Sequence, residues 1–313
     1  MSKFEEMQRS SLTLGIDIGG TNIKFGVVDE AYHIVKKWSI PTEANAGDKQ
    51  IVNNIIHKSK EIMNEFSYNK IGIGTPGLID SDHGICVNAG NLPYNNTPIV
   101  AKLEEAVNVK VALANDATCA MLGEISAGVG RTYKNFIMLT LGTGIGGGIC
   151  IDGKPYWGKN KMAGEFGHMT VQHNGPACRC GRKGCYEQYA SVSGLISQCK
   201  KAVEAYPESL LAQYASNNIS GKTVFDAMLA GCDVASDVVN QYAKYIAIGI
   251  EDLNMIFAPE VIVIGGAISN QEEILLKPIK ENIHDSINLC MSQLKNDAGI
   301  IGAAVIANQK FVS

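Results

Sequence analysis

The sequence predicts an α/β protein made of two related lobes. Three observations carry this expectation. Short apolar runs alternate with segments of helical period along the chain. Residues 12–28 and 136–151 match in kind: each reads strand, Gly/Thr-rich turn, strand, then an acidic or Asp-Gly turn. The length of 313 residues suits two domains of roughly 100–200 residues each.

Taken in order, the apolar run 12–17 ends in Asp17 and is followed by Gly19-Gly20. A second strand is expected over 23–28 and a third over 33–40, separated by the Asp29-Glu30 turn. Asp48 is placed to cap a helix whose apolar positions, Ile51, Ile55, Ile56, Ile62, Met63 and Phe66, share one face. A buried strand over 71–74 is broken by Thr75-Pro76-Gly77. A short helix over 98–106, a strand over 109–113 and a small-residue helix over 117–128 complete the first half. The second half opens with strands over 136–141 and 145–151. Residues 235–257 are apolar nearly all round, which predicts a buried helix. A strand over 261–264 ends in Gly265-Gly266, and a last helix begins at Ile300. The expected lobes are 11–118 plus 300–313, and 119–299, with 1–10 as a frayed tail.

Composition excludes several classes. Hydrophobic residues make up 46% and charged residues 19%, enough apolar surface to exclude a disordered chain. The net charge of −4 argues against nucleic acid as the main partner. The most apolar stretch, 136–151, contains five Gly and two Thr, so it reads as strands and a turn rather than a bilayer helix. The polar start of the chain is not that of a signal peptide. Nine Cys, scattered except for one cluster, suit a reducing cytoplasm. The 33 Gly are neither collagen-like nor low-complexity, so they serve turns or close backbone approach.

Two glycine turns follow strands: Asp17-Ile-Gly-Gly-Thr21 and Leu141-Gly-Thr-Gly144. Either one alone reads as a plain hairpin. Two on a repeated scaffold, with Gly265-Gly266 after a further strand, point to nucleotide phosphates cradled by backbone N–H groups. Asp17, at a strand end, is suited to hold Mg²⁺ directly or through water. Gly142, Gly144 and Gly147 match a dinucleotide fingerprint, but a strand follows where that motif needs a helix. No Walker A loop occurs.

Asn115 and Asp116 stand at the end of a strand, where open α/β sheets bind ligands. Asp116 there can take a proton from a substrate hydroxyl while Asn115 hydrogen-bonds a neighbouring one. The same residue types also suit a helix N-cap. Cys178, Cys180 and Cys185 lie on a Gly-rich loop with His168 upstream. Gly181 and Gly184 allow the tight turns that let the sulfurs converge, and three thiolates with one imidazole make a closed shell for structural Zn²⁺. Glu165 and Glu187 flank this cluster. Alone they are surface charges; fixed by a metal knot, they become acceptors for a polyol. The remaining Cys read as small core residues.

Together these motifs resemble the ROK family (repressors, open reading frames, sugar kinases) over nearly the whole chain. The most specific parts are Ala163-Gly-Glu-Phe-Gly-His168 and Cys178-Arg-Cys-Gly-Arg-Lys-Gly-Cys-Tyr-Glu187. Asp17-Ile-Gly-Gly-Thr-Asn-Ile-Lys24 is similar to the family's first phosphate loop, Leu141-Gly-Thr-Gly144 to its second, and Val261-Ile-Val-Ile-Gly-Gly266 to the segment near adenosine. The resemblance implies a two-lobed actin-like ATPase (ribonuclease H-like) fold with duplicated mixed-sheet domains and an interlobe cleft. It implies that Asp17, Gly19, Gly20, Thr21, Lys24, Gly142, Thr143, Gly144, Gly265 and Gly266 bind ATP with Mg²⁺. It implies Asp116 as general base, and Gly77, Asn91, Asn115, Glu165, His168 and Glu187 at the sugar. His168 would serve Zn²⁺ and sugar with one ring nitrogen each.

The implied activity is an ATP-dependent hexose kinase acting on the 6-hydroxyl of glucose, with N-acetylmannosamine or N-acetylglucosamine as the alternative substrates. Tyr94 departs from the Trp that many glucokinase-like members carry there. A sugar-responsive repressor fits less well, because about ten residues precede the first strand, too few for a helix-turn-helix. A sensor without turnover fits poorly with the retention of Asp17 and Asp116. The expected protein is a cytoplasmic homodimer or homotetramer with no nucleic-acid or membrane partner.

Overall fold

The computed structural model describes residues 12–159, 163–216 and 219–311. The tail expected over 1–10 lies outside the described residues. The chain divides into two compact units, Met1–Thr132 with Asp297–Ser313, and Tyr133–Asn296.

The first unit opens with β1 (Thr13–Ile18), β2 (Asn22–Val28) and β3 (Ile34–Pro41), followed by α1 (Asp48–Met63). Next come β4 (Lys70–Thr75), β5 (Leu78–Asp80), β6 (Ile85–Asn88) and β7 (Asn95–Thr97). It ends with α2 (Ile99–Val107), β8 (Lys110–Asn115), α3 (Asp116–Ala127) and, after the second unit, the final helix Ala298–Lys310. The main sheet has the order β3-β2-β1-β4-β8. β1 is antiparallel to β2 and parallel to β4, which is parallel to β8.

β1 is buried along nearly its whole length, because helices cover both sheet faces. Leu14, Ile16 and Ile18 join the core that contains Ile51 and Ile55 of α1. Each such side chain contributes roughly 1.5–3 kcal/mol by leaving water. The opposite face is lined by glycine. A Cβ on Gly15 or Gly72 would strike the carbonyls of Ile300 and Ala303 in the final helix. The same helix meets α3 at Gly123 and Gly302, again backbone to backbone.

The second unit contains β9 (Phe136–Leu141), β10 (Ile145–Ile151) and β11 (Lys154–Pro155), then α4 (Glu187–Ala190) and α5 (Val192–Ala205). It continues through α6 (Leu210–Tyr214), α7 (Thr223–Leu229), α8 (Asp233–Phe257), β12 (Val261–Gly265), α9 (Glu273–Lys280) and β13 (Leu289–Met291). Its sheet order, β11-β10-β9-β12-β13, reproduces the first unit's sheet position for position. The orientations also correspond: β9 is antiparallel to β10 and parallel to β12, which is parallel to β13. The repeat read from the sequence is therefore a repeat of topology.

Two expectations need correction, and one element was not expected. The lobe boundary expected at 118/119 cuts through α3, and the chain divides at 132/133 instead. The reason is the glycine-mediated seating of α3 on the final helix, which starts at Ala298, ahead of the expected residue 300. The helix 235–257 is not buried all round: Ile248, Met255 and Ile256 are exposed. The three-stranded sheet β5-β6-β7 was not foreseen. No helix among the described residues is long and apolar enough to cross a membrane.

Candidate active site

In the first unit, the turn between β1 and β2 holds Gly19, Gly20 and Thr21. Gly19 N–H donates to the Asn22 carbonyl at 2.9 Å. The hairpin register sets Asp17 opposite Lys24, and their charges meet at 3.4 Å. Burial pushes the Asp17 carboxyl up from its ordinary range, and Lys24 opposes this only in part. A half-buried carboxylate at a strand end, beside a single Lys, fits a cation. Gly20 lies against Asn91, whose Nδ2 would stand 3.3 Å from a Cβ there. The first glycine turn and one residue expected at the sugar are thus neighbours.

Asn115 ends β8 and caps α3: its side-chain oxygen accepts from Ala117 N–H at 2.9 Å and Thr118 N–H at 3.3 Å. Its Nδ2 donates to the Gly77 carbonyl at 3.3 Å. The sequence offered cap and substrate contact as alternatives, and the cap geometry is present. Asp116 follows as the first residue of α3, half-buried, with its Oδ1 accepting from Ala117 N–H at 2.9 Å. Cys119, one turn on and fully buried, has its thiol pushed well up by burial, so it adds no charge beside Asp17 and Asp116. Tyr94 is buried in the first unit's core.

In the second unit, Gly142 N–H donates to the Gly144 carbonyl at 3.0 Å, closing the turn between β9 and β10. Gly265 pairs with Thr140 at the end of β12. A Cβ on Gly266 would meet the Leu141 backbone, so Gly265-Gly266 borders this turn. A Cβ on Gly144 would run into the Glu187 carboxylate, whose Oε2 accepts from Ile145 N–H at 3.0 Å. Glu187 therefore abuts the second glycine turn as well as ending the cysteine motif.

His168, Cys178, Cys180 and Cys185 converge, with their ligand atoms all within 4.8 Å of one another. Cys178 Sγ lies 3.7 Å from His168 Nδ1, and Cys180 Sγ 3.5 Å from Cys185 Sγ. The knot is pinned by Cys178 N–H to the Arg182 carbonyl at 2.8 Å and by Val171 N–H to the Gly184 carbonyl at 2.9 Å. Gly181 and Gly184 take φ of 88° and 68°, the left-handed values that the tight turns demand. The thiols are unlike: the Arg182 backbone N–H draws Cys180 down, while burial pushes Cys185 up to about 12. Three thiols and an imidazole at this spacing fit a tetrahedral metal ion. Nδ1 faces the knot, which leaves Nε2 for another partner. Glu165 is exposed just before the short 3-10 turn Phe166–His168.

Sequence reasoning missed what ties the turns down. Thr42 donates its hydroxyl to the Gly19 carbonyl at 2.7 Å and its N–H to the Thr21 carbonyl at 2.9 Å. Ser193 donates its hydroxyl to the Thr143 carbonyl at 2.7 Å, and Val192 its N–H to the Gly142 carbonyl at 2.8 Å. Neither hydroxyl belongs to a motif, so only the folded chain reveals them.

Two equivalent mixed sheets, each presenting a glycine turn after its first strand, define a duplicated α/β protein of the actin-like ATPase fold. The ROK family matches residues 13–310, and the chain belongs to that family. A glucokinase from Halalkalibacterium halodurans is 38% identical, over 95% of each chain. An N-acetylgalactosamine kinase from Shewanella sp. is 31% identical over 94% of this chain and 96% of that one. The crystal structure of a ROK family glucokinase from Streptomyces griseus, in complex with glucose and AMPPNP, superposes with a TM-score of 0.86. It is 34% identical, covering 95% of this chain and 99% of that one.

Proposed function

We propose that this chain is an ATP-dependent hexose kinase that phosphorylates the 6-hydroxyl of glucose. The observation that carries the kinase reading is the pair of glycine turns at corresponding places in two equivalent sheets. Glucose as substrate rests on the similarity to glucokinases at 34–38% identity.

Asp116 accepts the proton of the 6-hydroxyl as that oxygen bonds to the γ-phosphorus and the bond to the β-phosphate oxygen breaks, releasing ADP. A positioned base of this kind contributes roughly 10²–10⁴-fold. Asn91 and Asn115 orient sugar hydroxyls on the Asp116 side, together with the Gly77 backbone. Glu165, Glu187 and His168 Nε2 supply the remaining sugar contacts. Gly19, Gly20, Thr21 and Lys24, with Gly142, Thr143 and Gly144, face the phosphates, and Gly265-Gly266 the adenosine. Asp17 would hold Mg²⁺, directly or through water, and that ion would supply charge neutralisation for the phosphates. His168, Cys178, Cys180 and Cys185 would hold Zn²⁺, and an ion held by four protein ligands would serve a structural role.

An ADP-release assay across a panel of sugars tests the reading. We expect the highest kcat/KM for glucose. Higher values for N-acetylmannosamine, N-acetylglucosamine or N-acetylgalactosamine would move the chain to the hexosamine kinases. No ATP turnover with any sugar would remove the kinase reading. Light scattering tests the homodimer or homotetramer expected from the family resemblance.

A further inference from the structure

The two glycine turns share a device that their sequences do not. In each, a hydroxyl and a backbone N–H from outside the hairpin's own turn bind two turn carbonyls. Thr42 supplies both donors to the first, at 2.7 and 2.9 Å. Ser193 and Val192 supply them to the second, at 2.7 and 2.8 Å. Among the described residues, the N–H groups of Gly20, Thr21, Thr143 and Gly144 donate no hydrogen bond.

A peptide unit places its carbonyl and N–H on opposite sides. Fixing the carbonyl therefore aims the amides on either side of it. Carbonyls repel phosphate and amides attract it, so a turn that rocked freely would present both. Two hydroxyls from unrelated positions, one fully buried and one exposed, solve this in the same way.

We infer that Thr42 and Ser193 are positioning residues for phosphate binding, each holding the carbonyl side of its turn so that the open amides face the triphosphate. The inference rests on the proposal that these turns bind ATP. Ser193 is the cleaner probe, because it is exposed and touches neither the proposed sugar residues nor the metal ligands. It lies in α5, which follows the metal knot with only α4 between, so the knot's exit and the donor turn share one support.

The test is steady-state kinetics with ATP and glucose, varied separately, on Ser193→Ala, Ser193→Thr and Thr42→Val. Loss of one hydrogen bond predicts a roughly two- to tenfold rise in the KM for ATP for Ser193→Ala and Thr42→Val. The glucose KM should stay within about 1.5-fold, and Ser193→Thr, which keeps the hydroxyl, should restore the ATP KM. A lowered melting temperature with the ATP KM unmoved in both hydroxyl-deleting variants means a purely structural role and overturns the inference. Thr143→Val separates this from failure of the underlying reading. If it raises the glucose KM and leaves the ATP KM alone, the turn does not bind nucleotide, and both fall together. If it raises the ATP KM while Ser193→Ala and Thr42→Val do not, the turns bind ATP and only the anchoring is wrong.

Discussion

The two units carry the same sheet but divide the chemistry unequally. The first turn brings its own charges, because the β1–β2 register sets Asp17 across from Lys24. At the equivalent register of the second, Thr140 faces Gly146, and no charge lies within the hairpin. Its carboxylate, Glu187, reaches in from the end of the cysteine motif to accept from Ile145 N–H. In the first unit's sheet β8 ends in Asn115 and leads straight to Asp116, whereas its counterpart β13 ends in the uncharged Met291. Two equivalent sheets thus carry one turn with its own charged pair and one turn that is uncharged within its hairpin and stands near the Cys/His cluster. Topology fixes where ligand-facing turns fall, and the side chains at those places decide what each half does.

The sharpest way to break this contrast is to remove the acid from the first unit. Asp116→Asn should lower kcat by at least roughly 10², with folding and sugar affinity largely kept. A kcat within about threefold of the parent would leave the first unit without its assigned chemistry. The second unit's distinction is tested at its Cys/His cluster. Zinc content near one per chain is expected, and Cys180→Ser should cost several kcal/mol of stability and weaken sugar binding. Each kcal/mol lowers Tm by roughly 2–4 °C in units of this size. Less than about 0.2 Zn²⁺ per chain, with full activity after chelation, removes the metal from the comparison.

Asp17→Asn comes next, with a loss of kcat/KM for Mg-ATP of about 10–100-fold, the scale of a hydrogen bond to a charged group. It also has a signature that the second turn lacks. Burial raises the Asp17 pKa above its unfolded value, so the native state binds the proton more tightly. Stability from this group is therefore present below an unfolded pKa of about 3.9 and lost as pH rises through the folded value. Asp17→Asn should abolish that part of the Tm-against-pH slope, and a slope equal to the parent's would contradict it. The smallest effect is Thr143→Val, a roughly two- to tenfold rise in the KM for ATP with the sugar KM nearly unmoved.

Much of this was legible in the sequence because the central strands of both sheets are buried along most of their length. Phe136–Leu141 and Ile145–Ile151 read as apolar runs with the bounds they adopt, and the Cys motif announces its convergence through its own spacing. The residues around Asn115 were readable as cap or as ligand, and local pattern could not choose, since both uses want the same side chain. What stayed hidden was held by distant partners. The boundary past α3 depends on glycines meeting a helix about 180 residues later, a contact with no local period. Thr42 and Ser193 are ordinary hydroxyl residues whose meaning comes only from which carbonyl they reach.

The final helix has a consequence for how the chain is made. The second unit is continuous in sequence, so all of its parts leave the ribosome together. The first unit is not: Gly15, Gly72 and Gly123 stay uncovered until Ala298–Lys310 has been synthesised. Domains generally fold in the order of synthesis, N-terminal first. Here that order is inverted, because the earlier half stays unfinished while the later half closes. During translation the nascent chain exposes a groove of bare backbone along β1, β4 and α3, and the last helix to emerge is the piece that fills it.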